Sequence, residues 1–159
     1  SPMPPSGSPV KELILQNMET TLAAINGGSD YYTTVAVVDR INVIPIEIRE
    51  YPAIIITPIG TDYDQPGEAT TLALAGNYRV RLTLVVRTRT DPSLTIENFV
   101  RDVHTALIVD ITRGGYAINT RMLSDDVFYP TQIEEPVAIA DCVIDVRYRT
   151  LRTDLNTST

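Results

Sequence analysis

The sequence predicts an α+β fold: a mainly antiparallel sheet of about four strands with two amphipathic helices packed on one face. Two long alternating segments and two segments of helical periodicity carry that expectation. In Asn77 to Arg89, Tyr78, Val80, Leu82, Leu84 and Val86 share one parity, and Arg79, Arg81, Thr83, Arg87 and Arg89 share the other. In Val137 to Leu151, Ala138, Ala140, Cys142, Ile144, Val146 and Tyr148 alternate with Ile139, Asp141, Val143, Asp145, Arg147 and Arg149. Side chains on a strand repeat every two residues, so each segment reads as a half-buried strand with an apolar and a charged face.

The elements follow in chain order. Residues 1–8, rich in Pro, Ser and Gly, read as a flexible arm ahead of a single domain over 9–153. Ser8 before Pro9 fits a helix N-cap with proline at the first helical position. Val10, Ile14, Met18 and Ile25 then share a helical face, with Thr21 between them, and Gly27-Gly28 supplies the stop, giving a helix over 9–26. Thr33 to Asp39 is β-branched and reads as a strand. Asn42 to Glu50 is ambiguous because Pro45 interrupts its isoleucines, whereas 52–58 reads as a buried strand bounded by prolines. Gly60 to Gly76 is a long connection whose second half can extend the following strand into a projecting hairpin.

After the first long strand, Asp91-Pro92 again reads as a cap followed by proline. Ile96, Phe99, Val100, Val103 and Leu107 form the stripe of a second helix that ends near Asp110, and Arg113-Gly114-Gly115 breaks it. A short strand is expected within 116–122, then the second long strand, then a polar tail over 154–159.

Composition narrows function. No apolar run approaches the ~20 residues needed to span a bilayer, and the first residues lack the basic and apolar regions of a signal peptide. The single cysteine, Cys142, leaves no internal disulfide and is compatible with a reducing compartment. A formal charge of −7 argues against gripping nucleic acid through phosphate neutralisation. Of thirteen basic residues only Lys11 is lysine, the rest being arginine. Arginine's planar fork suits bidentate, partly desolvated contacts; a compositional bias of the genome explains the same skew.

Catalytic and metal-binding patterns are weak. His104, the only histidine, lies at the edge of the second helix's stripe, and Cys142 has the apolar parity of its strand, so both read as boundary or core residues. Asp62-Tyr63-Asp64-Gln65-Pro66-Gly67 has the opening of a calcium loop, but position five is Pro66 and position twelve is Ala73, which defeats coordination. Asp125-Asp126 and Glu134-Glu135 are adjacent acids expected in loops, and adjacent residues on a strand would face opposite ways. No phosphate loop, nucleophile elbow or dinucleotide glycine signature is present, so the expectation is a non-enzyme without cofactor or metal. The charged strand face is the remaining candidate. Arg79, Arg81, Arg87, Arg89, Asp141, Asp145, Arg147 and Arg149 are the expected subunit-interface residues; a solvated face of weak cross-strand ion pairs is the alternative.

The chain as a whole resembles the tail terminator (tail completion) proteins of tailed bacteriophages. The matching features are the opening helix, Val35-Ala36-Val37-Val38-Asp39-Arg40, Glu50-Tyr51-Pro52-Ala53-Ile54-Ile55-Ile56 and the strand from Tyr78 to Val86. The helix from Phe99 to Leu107 and the closing long strand complete them, so that the resemblance spans residues 9–151. It implies a structural virion protein: a hexameric ring that caps the head-proximal end of the tail tube, stops its polymerisation and joins tail to neck. It implies as partners further copies of the chain, the tail-tube protein, neck or connector proteins, and sheath protein if the tail is contractile. Assembly would take place in the host cytoplasm, with DNA passing through the ring but not specifically bound. Asp62, Tyr63, Asp64 and Glu68 are then candidates for touching the tube or keeping the lumen acidic. Another neck or connector protein, or a small-molecule-binding α+β domain, are the competing readings.

Overall fold

The structure, a computed structural model, describes residues 7–28, 30–41, 47–64, 73–130, 136–151 and 154–159. The expected positions Pro45, Glu68, Glu134 and Glu135, and most of the N-terminal arm, lie outside them. The order is α1 (Val10–Ala23), β1 (Val37–Arg40), β2 (Ala53–Tyr63), β3 (Ala73–Arg87), α2 (Pro92–Val109), β4 (Asn119–Phe128), β5 (Val137–Leu151) and β6 (Asp154–Ser158). The fold class is α+β, with two helices among the described residues.

The sheet is larger and less uniform than expected: six strands among the described residues, ordered β1-β2-β3-β5-β4, with β6 also pairing β5. β1 runs parallel to β2, Val37 opposite Ala53 and Arg40 opposite Ile56, so the sheet is mixed. Parallel neighbours need a crossover of about a dozen residues, which 41–52 supplies. The two long alternating segments are the central pair, β3 and β5, in unbroken antiparallel register from Ala73–Leu151 to Arg87–Val137. The expected polar tail is instead strand β6, paired to the end of β5. The expected short strand is the ten-residue β4, whose largely exposed pattern hid it from a search for alternation.

Both helices lie on the face that carries Tyr78, Val80, Leu82, Leu84 and Val86 of β3 and Ala138, Ala140, Cys142, Ile144, Val146 and Tyr148 of β5. Val10, Ile14, Met18 and Ile25 from the α1 region and the five stripe residues of α2 fill the same core. Burying a large apolar side chain contributes about 1.5–3 kcal/mol, and this stripe-to-sheet contact is what fixes the helices. The α1 cap differs from expectation: Pro9 is the cap residue and no side chain caps the helix, so Ser8 does not serve. At α2 the expectation holds, because the Asp91 side chain accepts a hydrogen bond from the Leu94 amide and Pro92 opens the helix.

Two polar groups inside this core went unnoticed in the sequence. Asp102 is fully buried within the apolar arc of α2 and accepts hydrogen bonds from the Tyr32 and Thr33 amides at 2.9 and 2.7 Å. It thereby ties the segment before β1 to the helix. Arg113 is also fully buried and has a left-handed backbone (φ 52°). Its guanidinium donates to the carbonyls of Leu107, at 2.5 Å, and Asp110, so it sits where the negative end of the helix dipole favours a cation. Burial pushes the Arg113 pKa down.

Candidate functional site

The face of the sheet opposite the helices follows from the register. Its rows across the strands read Ala53–Val85–Ile139–Phe128, then Ile55–Thr83–Asp141–Asp126, then Thr57–Arg81–Val143–Ser124. Above these come Gly60–Arg79–Asp145–Arg121 and Asp62–Asn77–Arg147–Asn119. The face is therefore divided. Its lower end is apolar and covered: Ile48 and Tyr51 fold over Ala53, Ile55, Val85, Val137 and Ile139 to make a second small core. Charge is concentrated in the middle and upper rows, with Arg87 at the lower end over Tyr51. The alternation shows the apolar Val85, Val137 and Ile139 on this side but cannot show that 47–51 returns to cover them.

In the upper rows, arginines and acids pair within the chain. Arg79 donates to Asp62 at 2.5 Å, across β2 and β3. Arg147 grips Asp64 with both terminal nitrogens, at 2.7 and 2.6 Å. The Arg147 hydrogen bonds hold the Asp64 carboxyl below its ordinary range, and the same contact raises the Arg147 pKa. Arg121 donates to Asp145 at 3.2 Å across β5 and β4. Asp145 is 5% exposed, and its Oδ1, like the Nε of Arg79 directly opposite, has no hydrogen-bond partner among the described residues.

The expected interface residues thus separate. Arg79, Arg147 and Asp145 are engaged in these pairs; Arg149 donates to the Thr159 hydroxyl at 3.0 Å. Arg87 stacks over the Tyr51 ring, 4.5 Å from its centroid, and Arg89 is exposed just past the end of β3. Asp141 accepts from the Thr83 hydroxyl at 3.0 Å. Arg81 is exposed and has no partner among the described residues.

The expected tube-contact or lumen residues separate as well. β2 and β3 continue as a hairpin to Tyr63 opposite Gly76, which shortens the anticipated connection. Asp62 and Asp64 lie on the outer face beside their arginines, so the structure joins residues that the sequence assigned to two different roles. Tyr63 has the opposite parity and hydrogen-bonds Tyr148, which lowers the Tyr63 pKa. Gly76 is required there, because a Cβ would meet Thr61 Cγ2 at 2.8 Å and Tyr63 Cδ1 at 3.1 Å. Glu68 lies outside the described residues.

The remaining candidates are placed plainly. Asp125 and Asp126 lie in β4 and not in a loop; Asp126 stands on the outer face directly opposite Asp141. His104 is exposed. Cys142 is fully buried, and burial first, then nearby carboxylates, push its thiol up to about 12. Among the described residues no group of three or more His, Cys, Asp and Glu is disposed to hold a metal, and no helix is long and apolar enough to cross a membrane. Sequence reading missed Arg121 and Arg40. Arg40 binds Glu12 at 3.0 Å and also Glu19, joining β1 to α1; the signal was an i, i+7 acid pair on one helix face.

Comparison with protein-family models returns no match, and comparison with curated proteins returns none either.

Proposed function

We propose that the chain is a structural subunit of a phage tail terminator: a hexameric ring that caps the head-proximal end of the tail tube, halts its growth and joins it to the neck. The observation that supports this reading is the middle of the outer sheet face. The central strands β3 and β5 are fifteen residues each. They carry a charged surface that, among the described residues, is covered at its lower end alone. An exposed, ordered sheet surface of that kind is suited to a partner of fixed geometry. A head-to-tail contact repeated around an axis closes a ring.

In this reading the β2–β3 hairpin is the element that reaches the tail tube, its described end tied to the sheet by the Asp62–Arg79 and Asp64–Arg147 pairs. Because Asp62 and Asp64 are paired with arginine, those two acids contribute little free negative charge to a lumen. The ring meets neck or connector proteins on its other side, with sheath protein outside it if the tail is contractile. The assembled location is the virion.

Light scattering after size exclusion, with negative-stain imaging of the purified chain alone and mixed with tube protein, tests the proposal. Rings of sixfold symmetry that bind tube ends are expected, together with overlong tails when the gene is removed. A chain that stays monomeric in both settings and binds a metabolite overturns it. Neutralising Arg79 and Arg81 together should weaken the ring without unfolding the subunit, and an undiminished ring would remove the sheet face from the contact.

A further inference from the structure

The sheet ends in two unlike edges. β1 forms one margin and β4 the other, and among the described residues neither has a strand on its outward side. The cores run out half-covered at these margins. Val38 at one, and Met122 and Val127 at the other, pack partly buried against the helix-side core, and Val37 does so against the smaller one. An open edge carrying apolar side chains is a template for a further strand. The pairings fix the directions: β1, β2 and β5 run one way, β3 and β4 the other. A neighbour placed by rotation about an axis along the strands therefore continues the sheet with its β1 antiparallel to β4. Because it joins unlike edges, this contact is head-to-tail and repeats around a ring.

Charge selects the register. Asp39 stands on the outer side, in the row of Ile55, without a basic partner among the described residues. The outer side of β4 offers Arg121, which attracts it, and Asp126, which repels it. Placing Asp39 opposite Arg121 extends the row Arg79–Asp145–Arg121 so that charge alternates at every strand. The same register sets Val38 against Met122 on the helix side, apolar on apolar. It uses the part of β4 ahead of the bulge between Met122 and Ser124, and the four-residue β1 is short enough to fit there. We infer that adjoining subunits share one sheet, β1 of each adding antiparallel to β4 of the next, with Asp39 opposite Arg121 and Val38 opposite Met122. The inference rests on the ring reading above and names the contact that closes it.

Cysteine trapping in the full-length protein tests it. Val38→Cys and Met122→Cys each alter one half-buried side chain at a margin, and circular dichroism melting verifies the fold; the native Cys142 is fully buried. V38C/M122C, mildly oxidised, should give a ladder of covalent oligomers beyond the dimer on a non-reducing denaturing gel, while each single variant stays monomeric. Asp39→Arg should raise the concentration at which the assembly dissociates by about tenfold or more. A dimer from either single variant, a ladder that ends at the dimer, or no ladder from a chain that light scattering shows to be a ring overturns the edge pairing. Asp39→Arg assembling as the parent does overturns its register. Each of these results leaves the ring reading to be decided by light scattering, whereas a parent chain that is monomeric at every concentration overturns both.

Discussion

The two faces of the central sheet use the same strands for opposite purposes. On the helix side, every second residue of β3 and β5 from Tyr78 to Val86 and from Ala138 to Tyr148 is buried in one continuous core with both helices. On the outer side the same strands are apolar at one end, under Ile48 and Tyr51, and charged over the rest. The first face gains its free energy from area removed from water, which is large and indifferent to direction. The second gains little stability from its ion pairs but fixes their geometry, because bidentate arginine contacts are directional. Apolar burial and directional charge pairing are thus separated across the thickness of a single sheet.

Removing Phe99, fully buried against the sheet, strikes the stabilising face: Phe99→Ala should cost about 3–5 kcal/mol in a denaturant titration. Next comes the polar anchor inside that face. Asp102→Ala leaves the Tyr32 and Thr33 amides without their acceptor and should cost about 3 kcal/mol, while Asp102→Asn, which keeps one acceptor oxygen, recovers part of it. On the outer face, Arg121→Met strands the buried Asp145 carboxylate and should cost about 1–2 kcal/mol by the same titration. If that change cost as much as Phe99→Ala, the division between the faces would fail.

The smallest effect belongs to the exposed charges. Glu12→Gln, at the half-exposed Arg40 pair, should change stability by about 0.5 kcal/mol or less, and less again at high salt. The pH dependence has a definite sign. Hydrogen bonds from Arg40 and Arg147 hold Glu12 and Asp64 below their ordinary values of 4.5 and 3.8. A depressed folded pKa means the unfolded chain binds more protons, so this stabilisation is complete above those ordinary values and is lost as pH falls below them. Thermal melts should therefore be flat through neutral pH and drop on the acid side, and the drop should shrink in the Glu12→Gln variant. A melt that fell between pH 6 and 8 would point to other groups.

How far the residues alone foretold the molecule varied with the kind of force involved. Both helices, the long strand pair and the helix-side core were legible, because apolar periodicity is local and the core obeys it: the stripe of α2 and the even-numbered residues of β3 from Tyr78 to Val86 are all buried. The Asp91 cap was legible for the same reason, since an Asx side chain and the amide that donates to it are three residues apart. β4 was legible only as a short strand and β6 not at all, because exposed strands have no apolar face to alternate. Nor was the parallel β1–β2 pairing, as a period of two says nothing of direction.

What the chain's order of residues determined by itself is which side of each long strand meets the helices, since burial selects the apolar parity wherever the strand is placed. What only the tertiary structure decided is which charges meet. Arg147 and Asp64 are far apart in sequence, as are Asp126 and Asp141, and strand order and register alone bring each pair together, one attracting and the other repelling. A charge's partner is a matter of distance in three dimensions, and no pattern along the chain encodes it.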